Sequence, residues 1–240
     1  PEASLLRLNV QGNYNGLYVN TEAVDKQFLQ KQFNEKDGVL VKCDPVQVFC
    51  GNNTANGNPD LKWMGADSAN YYNSYDVKSD HGWGELMELI EKINFDFDNL
   101  GDVLNIDRVL WAFAVNSAIL NLDTYNGYYV HNYYLYRTED GLFQMIPWDF
   151  DNSFAGAILG WDFFDPMVVY NYDTYGNQYA PNERPLLEKL LDDPYYKKLY
   201  NAHLRTIYTE SLMDADAVRA SINPVSYTHL RAHETSDDLV

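Results

Sequence analysis

Two cysteines in 240 residues, Cys43 and Cys50, are too few for a disulfide framework. They also fall short of a zinc site, which needs about four ligands. Two buried thiols or one small disulfide remain open, and with them the redox compartment. Cations are scarce as well: 17 Lys and Arg stand against 35 Asp and Glu, for a formal charge of −18. That balance argues against nucleic acid or an anionic membrane surface as partner, since both repel an acidic chain. It suits divalent cations and basic protein substrates. No apolar run approaches the roughly 20 residues needed to cross a bilayer. The first four residues, Pro1 to Ser4, show neither the charged nor the apolar region of a secretory signal, and no initiator Met precedes them. What is present is aromatic: 15% Phe, Trp and Tyr within 46% hydrophobic residues, a composition that excludes disorder and supports a sizeable core.

Leu6, Leu8 and Val10 alternate, turn residues fill 11–16, and Leu17 to Val19 resume the alternation, which predicts a hairpin. Thr21 is placed to cap a helix carrying Val24, Phe28 and Phe33, ended by Gly38. Short strands are expected at 39–42 and 46–49. Residues 51–80, rich in Asn, Gly, Asp and Tyr, read as a long surface excursion with one glycosylation sequon at Asn52. Helices follow at 84–94 and 107–120. The second carries Val109, Leu110, Phe113, Ala114, Ser117 and Leu120 on one face and few charges, so burial over much of its circumference is expected. Further helices are predicted at 186–191, 194–212 and 214–222, with Pro194 in a first turn.

Residues 225–240 differ in character from the rest. They resemble the translation of a sequencing adapter at the end of an assembled read, so the native sequence is expected to stop near Pro224. The tail is set aside, and with it the four-residue spacing of His229 and His233. It is expected to make few contacts with the body.

The most informative stretch runs from Asn121 to Asp151. Asp123 follows the buried helix directly, where a carboxylate faces the negative end of the helix dipole. Residues 133–137 and 142–146 are aromatic and apolar runs joined through Thr138-Glu139-Asp140-Gly141, a hairpin signal. With the turn centred on Glu139 and Asp140, Tyr133 opposes Ile146 and Asn132 opposes Pro147. Asn132 and Asp149 then leave the same open end, on strands about 5 Å apart, where their oxygens can share one cation. Asp123, nine residues before Asn132, can reach the same space. The order helix, loop Asp, Asn, hairpin, Asp is that of a protein-kinase catalytic lobe, although the Asp-to-Asn spacing is longer here.

The strings at 107–110, 114–116, 131–136 and 146–149, with Asp123 between them, closely resemble the core signature of the spore coat protein H (CotH) kinase family. The blocks at 16–18, 22–25 and 38–42, and Arg184-Pro185-Leu186, are similar to its flanking motifs. The resemblance covers most of residues 5–215. It implies an α+β fold: a protein-kinase-like catalytic lobe over 1–224 with a partial small lobe at its start. It implies transfer of phosphate from ATP, with Mg2+, to Ser or Thr of a protein substrate. By resemblance Asp123 is the catalytic-loop acid, Asn132 a magnesium ligand, and Asp149 the metal-holding acid of the second motif. Glu22, Asp25 and Lys42 would lie beside the nucleotide. Localisation at a spore coat or cell surface is implied likewise. Two departures stand out. The family draws its phosphate-covering strands and an ATP-binding Lys from sequence upstream, and nothing before Leu5 can supply them. Ala155 also follows Phe154 where Gly is common. The 240-residue chain alone is therefore expected to bind Mg-ATP weakly and to transfer phosphate slowly or not at all.

Other readings compete with this one. Asp149-x-Asp151-x-Ser153 begins like a calcium loop but has Phe154 and Gly160 where an EF-hand needs Gly and Glu. Paired carboxylates in an aromatic-rich chain also suggest a glycosidase. The rival from another class is an inert coat or cell-surface assembly module on the same fold.

Overall fold

A computed structural model of the chain describes residues 1–45, 57–121, 123–127, 130–154, 184–212, 214 and 216–219. Cys50, the strand expected at 46–49, the sequon, Ala155 and the 225–240 tail lie outside the described residues, as does most of the helix expected at 214–222. The fold is α+β, in two compact units: residues 1–36 with the described residues from 208 on, and residues 37–207.

In the first unit, β1 (Ala3–Val10) and β2 (Asn13–Thr21) form an antiparallel hairpin. Its turn is only Gln11 and Gly12, both at positive φ, so it is tighter than the six-residue turn the sequence suggested. Helix α1 (Lys26–Phe33) is capped by Asp25, not Thr21: Asp25 Oδ1 accepts from the backbone N–H groups of Gln27 (2.8 Å) and Phe28 (3.1 Å). Thr21 is spent in β2. Asn34, in the left-handed region at φ 60°, ends the helix ahead of Gly38.

The second unit is built on a four-stranded antiparallel sheet in the order β4-β3-β5-β6. Its strands are β3 (Val39–Cys43), β4 (Asp76–Val77), β5 (Tyr133–Arg137) and β6 (Phe143–Pro147). Period-two alternation puts Val39, Val41, Cys43, Leu135, Tyr133, Phe143 and Met145 on the face that joins the main core. Helices α2 (Trp83–Phe95), α3 (Ile106–Ala118), α4 (Pro185–Asp192) and α5 (Pro194–Ile207) complete that core. Helix α3 starts at Asn105, whose Oδ1 caps the Arg108 N–H, and it packs along α5. Its buried residues include Ala112, Asn116 and Ala118 as well as Val109, Leu110, Phe113, Ala114 and Ser117 of the expected stripe, in keeping with burial over most of its circumference, whereas Leu120 lies past the helix end and is half-buried.

Two expectations are corrected. The β5–β6 register is Tyr133↔Pro147 and Tyr134↔Ile146, one residue off the expected pairing. The cause is Gly141: the Gly141 N–H closes a turn on the Thr138 carbonyl, Gly141 then takes φ 90°, and Thr138 N–H bonds Leu142 O. The turn and left-handed glycine make a three-residue loop with a bulge, which adds one residue to the count. Residues 57–80 are also no surface excursion. Leu61, Tyr71 and Tyr75 are wholly buried, and three tyrosine hydroxyls tie the segment down. Tyr75 accepts from Leu61 N–H (2.8 Å), Tyr71 accepts from Met64 N–H (2.7 Å), and Tyr133 donates to Pro59 O.

Candidate functional site

The C-terminal end of α3 places Asp123. The helix closes with Leu120 at φ 53°, the Leu120 N–H on Ser117 O (3.2 Å) and the Asn121 N–H on Asn116 O (2.8 Å). That pair of bonds is a Schellman close with leucine where glycine is usual, at a cost of about 1–2 kcal/mol. A buried amide network holds the turn in place. Asn116 Nδ2 donates to Thr124 Oγ1 (3.3 Å) and Asn126 Oδ1 (3.2 Å), while its Oδ1 accepts from Asn121 Nδ2 (3.2 Å). Asn126 Nδ2 reaches back to Phe113 O (3.1 Å), and Asn121 Oδ1 accepts the Asp123 N–H (3.3 Å). Sequence reasoning assigned nothing to Asn121, Thr124 and Asn126. The available signal was polar side chains continuing an apolar helix face, starting with Asn116 and Ser117.

Asp123 is 8% exposed and carries three side-chain donors. His131 Nε2 donates to Oδ1 at 2.9 Å. Oδ2 accepts from Asn132 Nδ2 at 3.3 Å and from Asn152 Nδ2 at 2.8 Å. Asn132 Nδ2 also bonds the Asp123 carbonyl at 3.0 Å, which leaves its amide oxygen as the end available to a cation. Its backbone sits at φ 59°, and its carbonyl accepts the Trp148 N–H at 3.0 Å. The next residue along, Asp149, is itself at φ 53°. Two left-handed residues thus stand at the mouth of the hairpin, Asn132 opposite Trp148 and Asp149 one residue beyond it, where the ladder ends and side chains are re-aimed.

Burial pushes the Asp149 carboxyl above the usual range; the Asp151 charge and, more weakly, that of Asp123 act in the same direction. The Phe154 N–H, bonded to Ile119 O, fastens the segment after Asp149 to the end of α3. Ser153 Oγ is buried without a partner.

The remaining candidates have partners of their own. Lys42 lies on β3 opposite Tyr134 and Asp76 and pairs with Asp44 at 2.6 Å. Desolvation lowers its pKa, but the Asp44 hydrogen bond and charge leave it above its usual value. Tyr134, beside it, meets Trp148 edge-on at 5.7 Å, so Lys42 shares a sheet face with the residue before Asp149. Glu22 and Asp25 belong to the first unit. Glu22 accepts from Glu2 N–H (3.0 Å) and pairs with Lys31 (3.3 Å), and Asp25 caps α1.

A family model described as CotH kinase protein matches residues 1–231. The chain belongs to the CotH kinase protein family. It is similar to the inner spore coat protein H of Bacillus subtilis (strain 168), with 25% identity over 226 residues, or 89% of this chain. The chain spans 56% of that relative's length. No helix among the described residues is long and apolar enough to cross a membrane. Nor do three His, Cys, Asp or Glu side chains form a metal cage among them. The Asn132 amide oxygen and the Asp149 carboxylate are each oxygen donors of the type a hard divalent cation takes.

Proposed function

We propose that this CotH-family chain carries the phosphoryl-transfer centre of an ATP- and magnesium-dependent protein Ser/Thr kinase, on a protein-kinase-like lobe. The supporting observation is Asp123: a buried carboxylate hydrogen-bonded to Asn132 and close enough to Asp149 for its charge to be felt there. Asp123 orients the acceptor hydroxyl and takes its proton. The acceptor oxygen bonds the γ-phosphorus as the bond to the β,γ-bridging oxygen breaks, and that electron pair leaves with ADP. Asn132 and Asp149 are the residues to hold magnesium, which supplies charge neutralisation to the phosphates. Repulsion among Asp149, Asp151 and Asp123 is what a bound cation relieves. Within the second unit, Lys42 is assigned to the nucleotide side. The spore-coat relative favours a coat or surface location with a protein substrate.

The same relative's name favours a second reading, an assembly module without catalysis. One experiment separates them: incorporation of labelled phosphate from ATP into a Ser/Thr-rich acceptor, using the natural full-length protein with and without magnesium. Magnesium-dependent transfer that falls by about 10²–10⁴ in Asp123→Asn supports the kinase. Transfer absent from the wild-type protein leaves the assembly module.

A further inference from the structure

The segment leaving β6 does more than carry Asp149. Three residues on, Asn152 turns its amide back to Asp123 Oδ2 at 2.8 Å, the shorter of the two bonds that oxygen receives. We infer that Asn152 is a positioning residue for Asp123, and through it for the acceptor hydroxyl. This rests on the kinase reading above.

Asp123 lies just past the C-terminal end of α3, where the helix dipole disfavours negative charge, and it is nearly buried, so its carboxylate depends on donors. His131 and Asn132 supply them from the segment entering the hairpin, and Asn152 from the turn that follows it. A carboxylate offers about four acceptor directions, so three protein donors leave one for the substrate hydroxyl. Asn152 fixes which one. Without it, Oδ2 keeps the longer 3.3 Å bond to Asn132, an amide also shared with the Asp123 carbonyl, and the carboxylate is held mainly by His131 at Oδ1, so its rotation is less restrained. The Asn152 bond also joins the two candidate acids, because it ties the Asp149 segment to the Asp123 loop. The backbone bond from Phe154 to Ile119 makes the same connection independently, so a change at Asn152 leaves the segment anchored.

The test uses Asn152→Ala, Asn152→Ser and Asn152→Asp in the full-length protein. In Asn152→Ala, kcat should fall about 10–100-fold, as for a slightly misplaced catalytic group, with KM for Mg-ATP held within about two-fold. Asn152→Ser keeps a donor at shorter reach and should recover part of the loss. Asn152→Asp sets a second carboxylate against Asp123 and should be the poorest. Independently of turnover, exchange of the Asp123 amide hydrogen should quicken about 5–10-fold in Asn152→Ala. An unchanged or raised kcat overturns the inference, a raised one by showing that the amide obstructs the acid. A parallel loss of kcat, KM and melting temperature also overturns it, because that is the signature of structure alone. If the wild-type protein transfers no phosphate, the kinase reading fails. Amide exchange then decides the role of Asn152, and an unchanged rate overturns it.

Discussion

Asp149 stands at φ 53° with a carboxyl held above its usual pKa, first by burial and then by the Asp151 charge. Its protonated form is therefore favoured more in the folded chain than in the unfolded one. Such a group stabilises the fold below its unfolded pKa, and that contribution disappears as pH rises through the raised folded value. At neutral pH the ionised Asp149 is thus a local liability. Asp149→Asn removes the charge and keeps a side chain that tolerates the left-handed backbone. It should raise the melting temperature at pH 7 by about 1–3 °C, with the gain fading as pH falls through the raised folded value and gone below about pH 4, and should abolish phosphoryl transfer. A variant that is less stable at pH 7 than the wild type would contradict the charge crowding; one with full activity would contradict the assignment. Asp123, Asn132 and Asp149 stood out in the sequence because the strings around them are distinctive, and of these the structure joins Asn132 to Asp123 by hydrogen bonds. Asn152 was not. An amide beside Asp151 in a loop has no periodicity to betray it, and its partner lies 29 residues away in sequence.

The elements around the site depend on buried polarity and close packing, and these were the least legible features. The amide network under Asp123 is built from Asn116, Asn121, Thr124 and Asn126, each no more than 3% exposed. Asn116→Ala leaves the Asn121 amide, the Thr124 hydroxyl and the Asn126 carbonyl short of a partner, which should cost about 2–4 kcal/mol. Denaturant melts would read that loss, and transfer should fall with it because the Asp123 loop loses its template. Asn116→Ala as stable as wild type would show that water replaces the amide. The hairpin's register error has one source, the extra loop residue Gly141. The sequence places a turn there, but whether Gly141 counts as strand or bulge depends on its φ. Gly38 poses a different constraint: a Cβ there would fall on the Arg137 carbonyl oxygen and crowd the Tyr136 hydroxyl, to which the Gly38 N–H donates. Gly38→Ala should lower stability by about 2 kcal/mol or more through strain at the β3–β5 edge. Gly101→Ala, with open space around it, should be within about 0.5 kcal/mol of wild type. Equal effects at the two positions would refute the packing argument.

Over the whole molecule, charge is the property most visible in sequence and the one that must be separated from the site. At −18 the chain repels itself, so any added salt screens it and divalent cations screen it more strongly. Magnesium stabilisation alone therefore says nothing about Asn132 and Asp149. The decisive quantity is a difference between proteins. Wild-type protein and Asp149→Asn carry nearly the same net charge, so general screening shifts both by the same amount. A cation bound at the hairpin mouth adds RT ln(1 + [L]/Kd) to the wild-type protein alone, about 1.4 kcal/mol at ten times Kd. For a chain of this size that corresponds to about 3–6 °C. Melting curves in millimolar magnesium chloride, against sodium chloride at matched ionic strength, should show that excess in the wild type, deepened by ATP and absent from Asp149→Asn. Asp67→Asn, a change to the cap of the 310 turn at Ser68–Tyr71, removes one charge elsewhere and should keep the excess. If all three proteins respond alike, the cation is only screening, and the acids at the hairpin mouth are not its site.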